Sequence, residues 1–104
     1  MRLRYTSTAY EKIQAIWSQL FEVNPFAAAR MRKQLTQSLG RLRSFPRLGP
    51  QVSEYSSASV RQTIVGPYRF FYYVDERAQT IWIVDVWHGA QLTSAPELPQ
   101  HIAE

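Results

Sequence analysis

The sequence predicts an α+β domain in the order β-α-α-β-β-β, a helical hairpin packed on an antiparallel sheet. Three observations predict it. Apolar residues recur at spacings of three and four in two consecutive stretches between residues 9 and 42. Asn24-Pro25 separates those stretches with no room for a long loop. From residue 60 onward, short apolar runs alternate with turn residues.

Arg2-Leu3-Arg4-Tyr5 alternates polar and apolar, the pattern of a half-buried strand. Thr8 followed by Glu11 is a capping-box spacing and places a helix start there. Ala9, Ile13, Ile16 and Leu20 then form an apolar stripe, widened by Trp17 and Phe21, with Glu11, Gln14, Ser18 and Glu22 on the other side. Asn24 suits an N-cap and Pro25 a first helical position. Ala28, Met31, Leu35, Leu39 and Leu42 are the core stripe of the second helix, with Arg30, Lys33, Gln34, Gln37 and Arg41 facing outward. The short link makes the pair an antiparallel hairpin.

Phe45-Pro46-Arg47-Leu48-Gly49-Pro50 cannot continue a helix. Residues 53–59 are polar and aperiodic, a loop or ragged strand. Residues 60–65 read as a strand, Gly66-Pro67 as a tight turn, 68–74 as an aromatic strand, 75–79 as a second turn and 80–87 as a third strand. The last is almost continuously apolar, so it is expected at the centre, covered on both faces. The three strands form an antiparallel meander. Residues 1–104 make one domain, with about 92–104 a loose C-terminal tail.

Composition narrows function. A chain of 104 residues, 45% hydrophobic and 13% aromatic, has one core and is too apolar for disorder. It has no cysteine, hence no disulfide, thiolate metal site or cysteine nucleophile. His88 and His101 are too few and too far apart for a metal cluster. No glycine-rich phosphate loop, dinucleotide fingerprint or nucleophile elbow occurs, so no cofactor or metal is expected. No apolar run spans a bilayer and no apolar region follows Met1-Arg2-Leu3-Arg4-Tyr5, so a cytoplasmic location without membrane contact is expected. Net charge is +4, and no acidic residue stands between Glu22 and Glu54. That interval holds Arg30, Arg32, Lys33, Arg41, Arg43 and Arg47. Such a stretch attracts polyanions or acidic protein segments, or is simply a solvated helix face.

Three polar residues stand out in the strands: Arg61, Arg69 and His88. Alternation puts Arg69, Phe71 and Tyr73 on one side of their strand. An arginine among aromatics can stack, hold a phosphate or pair with a carboxylate. The plain alternative is an internal ion pair with Asp85 or Glu54. For His88 the plain alternative is a strand-end histidine bonded to a backbone carbonyl.

Several segments taken together resemble the RelE/ParE superfamily of type II toxin–antitoxin toxins. They are Leu42-Arg43-Ser44-Phe45-Pro46-Arg47-Leu48-Gly49, Val60-Arg61, Pro67-Tyr68-Arg69-Phe70-Phe71-Tyr72-Tyr73-Val74-Asp75, and residues 81–86 followed by Trp87-His88-Gly89. The resemblance covers nearly the whole chain. It implies a plasmid-stabilisation type toxin, cytoplasmic, held in a hetero-oligomer by an antitoxin encoded beside it. RelE-like members are ribosome-dependent messenger RNA endonucleases; ParE-like members inhibit DNA gyrase by binding.

Under the resemblance, Arg69 matches the sheet arginine that binds phosphate, and Arg61, Arg69 and His88 are the target- or phosphate-binding candidates, or the catalytic ones in a nuclease. Arg30, Lys33, Arg41, Arg43 and Arg47 are the antitoxin-binding candidates. No lysine accompanies Arg61, Ala90-Gln91 stands where many relatives carry arginine, and no tyrosine follows Tyr73. These departures point to the ParE-like branch, with DNA gyrase as target. The alternatives are a RelE-like enzyme acting on ribosome-bound messenger RNA, and an inactive degenerate toxin.

Overall fold

A computed structural model describes residues 1–53, 55 and 59–89. The loose tail expected at 92–104, together with Glu54 and Ala90-Gln91, lies outside the described residues. The elements run β1 (Arg2–Tyr5), α1 (Ser7–Val23), α2 (Pro25–Ser44), β2 (Val60–Val65), β3 (Tyr68–Asp75) and β4 (Thr80–His88), the order expected. Two helices pack on a four-stranded sheet ordered β1-β4-β3-β2.

Helix α1 begins two residues before the expected capping box. Thr6 is the N-cap, and its hydroxyl oxygen accepts from the Ala9 N–H at 3.2 Å. The reason is tertiary. Thr6 also donates its N–H to the Ile83 carbonyl at 3.0 Å and its hydroxyl to the Val84 carbonyl at 3.2 Å. One buried residue thus ends the β1 ladder and opens the helix, and Thr8 is left inside α1. Asn24 works at both ends of its joint. Its N–H donates to the Leu20 carbonyl at 2.8 Å, and its side-chain oxygen accepts from the Ala27 N–H at 3.1 Å. Pro25 follows at the first helical position.

The stripe Ala28, Met31, Leu35, Leu39 and Leu42 is buried, as expected. It meets Phe70, Tyr72, Ile81, Ile83 and Val86 from the sheet, with Ala9 and Ile13 from α1. Phe21, expected to widen the α1 stripe, is instead exposed near the hairpin tip, together with Val23 (76%) and Phe26 (80%). The apolar face of α1 runs out of sheet to cover before the helix ends.

The sheet is mixed, which corrects the antiparallel expectation for β1. The late strands form the expected meander, but β1 pairs parallel to β4, Arg2 opposite Thr80 and Tyr5 opposite Ile83. Helix α2 explains this. It begins at the end of the sheet where Ala27 and Arg30 lie with Gly66, Pro67 and Tyr68. It finishes at the other end, where Arg43 Nε donates to the Met1 carbonyl at 3.2 Å. The chain is thereby returned to its starting end, and β2 and β4 must run in the direction of β1.

Strand β4 is central and buried on both faces, as its apolar run requires. On the face away from the helices, Tyr55, Val60, Phe71, Val84 and Trp87 form a second core cluster. Pairing with β3 shifts register between Phe71 and Tyr72, which face Asp85 and Ile83, so Val84 is the extra residue of a β-bulge. Gly66 supplies a positive φ of 58° at the β2–β3 turn.

Candidate functional site

Arg69 lies on the helix-free face of β3, with Phe71 and Tyr73, as alternation predicts. Its guanidinium carbon sits 4.8 Å from the Phe71 ring centroid and 5.7 Å from that of Trp87. The two rings meet edge to face, 5.0 Å apart at 68°. Arg69 Nε donates to Gln62 Oε1 at 2.7 Å from the neighbouring strand. The guanidinium therefore rests on a shelf of two buried aromatics and is held from the side by an amide.

Asp85, the alternative ion-pair partner, goes elsewhere. Asp85 Oδ1 accepts from Lys12 Nζ at 2.6 Å and from the Val86 N–H at 2.8 Å. Asp85 Oδ2 accepts from the Trp87 indole N–H at 3.2 Å. The other carboxylate considered, Glu54, lies outside the described residues.

Arg61 has the opposite parity and serves the loop after α2. Its Nη1 donates to the Gly49 carbonyl at 2.8 Å and, more weakly, to the Arg47 carbonyl at 3.4 Å. The Gly49 N–H donates in turn to the Tyr72 hydroxyl at 2.9 Å. Burial pushes the Tyr72 phenol up from its ordinary value, and the Gly49 N–H and the Arg61 charge offset part of that rise. A Cβ on Gly49 would lie 2.1 Å from the Gln62 carbonyl oxygen, so only glycine fits.

His88 ends β4, exposed, with its ring edge-on to Tyr68 at 5.4 Å. It pairs with Tyr68, and Arg61 pairs with Tyr72 on the other side of β3. Four residues along β3 and two strand spacings put the two backbones about 17 Å apart. Arg69 projects from the reverse face. The three candidates do not gather around one point.

The basic run divides likewise. Phe26, Arg30, Lys33 and Arg41 are exposed on one outward stripe of α2. Arg41 Nη2 donates to Ser38 Oγ at 3.3 Å. Among the described residues no carboxylate pairs with Arg30, Arg32, Lys33 or Arg41. Arg43 is tied to Met1, and Arg47 pairs with Glu76. A shallow groove between the helices is lined by Phe21, Ala29, Arg32, Lys33, Thr36 and Gln37.

Lys12 and Gln62 acquire positions here that the sequence gave no part to, and Asp85, weighed only as a partner for Arg69, takes a different one. Asp85 carried a signal, a carboxylate inside an apolar strand. Lys12 and Gln62 carried none.

Among the described residues no three His, Asp or Glu side chains gather to hold a metal ion, and no helix is long and apolar enough to cross a membrane. What remains is a small α+β domain built to present cations and a few exposed apolar side chains. Residues 3–93 match the family model described as ParE toxin of type II toxin–antitoxin system, parDE, and the chain belongs to that family. Among solved structures it is similar to a chain of the chromosomal ParDE TA system from P. aeruginosa. That similarity has a TM-score of 0.65 at 18% identity, covering 85% of this chain and 95% of the other. No curated protein matches the sequence.

Proposed function

We propose that this type II toxin inhibits DNA gyrase by binding, in the cytoplasm, and is neutralised by an antitoxin from a neighbouring gene. The observation that carries binding over catalysis is the dispersal of Arg61, Arg69 and His88. Cleavage of RNA requires a base, a phosphate clamp and a proton donor around one bond. Arg61 is engaged with loop carbonyls, Arg69 occupies the opposite face, and His88 stands apart at a strand end. Arg69, held on its shelf, is the residue assigned to the target.

The antitoxin is read from the hairpin. Exposed Phe21, Val23 and Phe26 adjoin a stripe of Arg30, Lys33 and Arg41 that has no acidic neighbour on α2. Arg43 adds positive charge toward the far end, where Arg47 is already paired with Glu76. An acidic amphipathic helix, disordered until bound, fits this surface. Nanomolar affinity, on the order of −12 kcal/mol, is expected of the pair. Calorimetry with the neighbouring gene product tests it, and no binding at micromolar concentration refutes it.

A gyrase supercoiling assay run beside primer extension on translated messages separates the target readings. Inhibited supercoiling with intact messages is expected. Cleavage at ribosomal A-site codons, lost in His88→Ala, establishes the ribonuclease instead.

A further inference from the structure

We propose that Asp85, held by Lys12, is a positioning residue for Arg69, acting through the Trp87 indole. The inference rests on the reading that Arg69 contacts the target.

A carboxylate in the central strand is out of place unless it is satisfied. The Asp85 side chain is 3% exposed, and three donors converge on it from α1, from the indole and from its own strand. Lys12 remains 45% exposed on the other side of the contact. Ion pairs that involve a buried group are weak sources of stability compared with apolar packing, so this one invites a reason in geometry. The bulge at Val84 sets the local path of β4 where Asp85 and Trp87 meet.

The geometric consequence falls on the Trp87 ring. Packing alone lets an indole settle in more than one orientation about its terminal torsion. A bond from its N–H to Asp85 Oδ2 selects one, and that orientation presents the ring to Phe71 and to the Arg69 guanidinium. Gln62 takes Nε from the side. With the ring fixed below and Nε fixed laterally, the plane of the guanidinium is set before any partner arrives. Arginine otherwise has a large rotamer freedom to lose on binding, and a side chain ordered in advance binds more tightly. The charge on α1 therefore reaches the opposite sheet face through two contacts, Lys12 to Asp85 and Asp85 to Trp87.

Side-chain nitrogen NMR on the full chain, read beside growth-inhibition potency, tests this in Asp85→Ala, Trp87→Phe and Lys12→Arg. Trp87→Phe keeps an aromatic ring but removes the donor, so it serves if Asp85→Ala fails to fold. The expected result is a folded protein in which the Arg69 Nη groups become mobile in both variants while Nε–H stays on Gln62, with potency lower by about tenfold. Lys12→Arg should keep the Arg69 order and potency of the parent. Ordered Arg69 Nη groups in folded Asp85→Ala or Trp87→Phe overturn the proposal. Full potency in Arg69→Ala overturns instead the assignment of Arg69 to the target, while the NMR result still decides whether Asp85 positions it.

Discussion

Replacing Arg69 by alanine should cost stability as well as growth inhibition, and the shelf beneath the guanidinium sets the amount. The substitution removes a charge-assisted bond from Nε to Gln62 Oε1, worth about 1.5 kcal/mol at the low end for a charged donor. It also removes cation–π contacts with Phe71 and Trp87, each worth about 0.5–1 kcal/mol at a partly exposed site. One group makes all three contacts, so they do not add fully, and about 2 kcal/mol is the expected loss. For a domain of this size that lowers Tm by roughly 10 °C. Arg69→Lys keeps the charge but loses Nε and the planar face, and should cost about 1 kcal/mol. Urea denaturation measures both, and growth inhibition is read in parallel. A loss under ~0.5 kcal/mol in Arg69→Ala is the value for a free surface side chain, and it would refute the shelf as an energetic feature. A loss of ~4 kcal/mol would mean that Arg69 was a partner in a buried ion pair after all.

Thr6→Ala should destabilise by about 1–2 kcal/mol while Thr8→Ala stays near zero, and the reverse order in chemical denaturation would restore the Thr8 cap. Gly49→Ala should cost roughly 3 kcal/mol or more, because its Cβ meets backbone oxygen and the Tyr72 hydroxyl, 2.1 and 2.7 Å away; a melting temperature equal to the parent's contradicts this. Tyr5 and Tyr72 both have phenol pKa values raised by burial. Raised values mean that the folded state holds these protons longer than the unfolded chain does. Stability is then complete below about pH 10 and falls as pH rises from there through the folded values. Tyr72→Phe should flatten that alkaline loss, and an unchanged pH profile would show that Tyr72 does not titrate with unfolding.

Much of the fold was legible because it is periodic. The stripe from Ala28 to Leu42 and the apolar run of β4 each admit one partner surface, and both are buried as read. The start of α1 was not legible. Thr8 and Glu11 have the capping-box spacing, yet Thr6 is the cap, and the choice is made by the Ile83 and Val84 carbonyls, far along the chain. The parallel pairing of β1 also depends on where α2 delivers the chain, which no local pattern records. At the candidate site, period-two alternation found the face that Arg69 shares with Phe71. It could not find Lys12, 73 residues from Asp85, nor the loop carbonyls that engage Arg61. The exposed apolar side chains near the hairpin tip were equally hidden, since a stripe in sequence does not say where the sheet beneath it ends.

Asn24 closes one helix and opens the next, so the hairpin joint has no spare residue. One residue added there and taken into the helix would rotate α2 by about 100° about its axis. That turn would carry Met31, Leu35 and Leu39 off the sheet and bring Arg30 and Lys33 toward it. A change of length is therefore costly at this corner, whereas the exposed side chains of Phe21, Val23 and Phe26 can be exchanged on an unchanged frame.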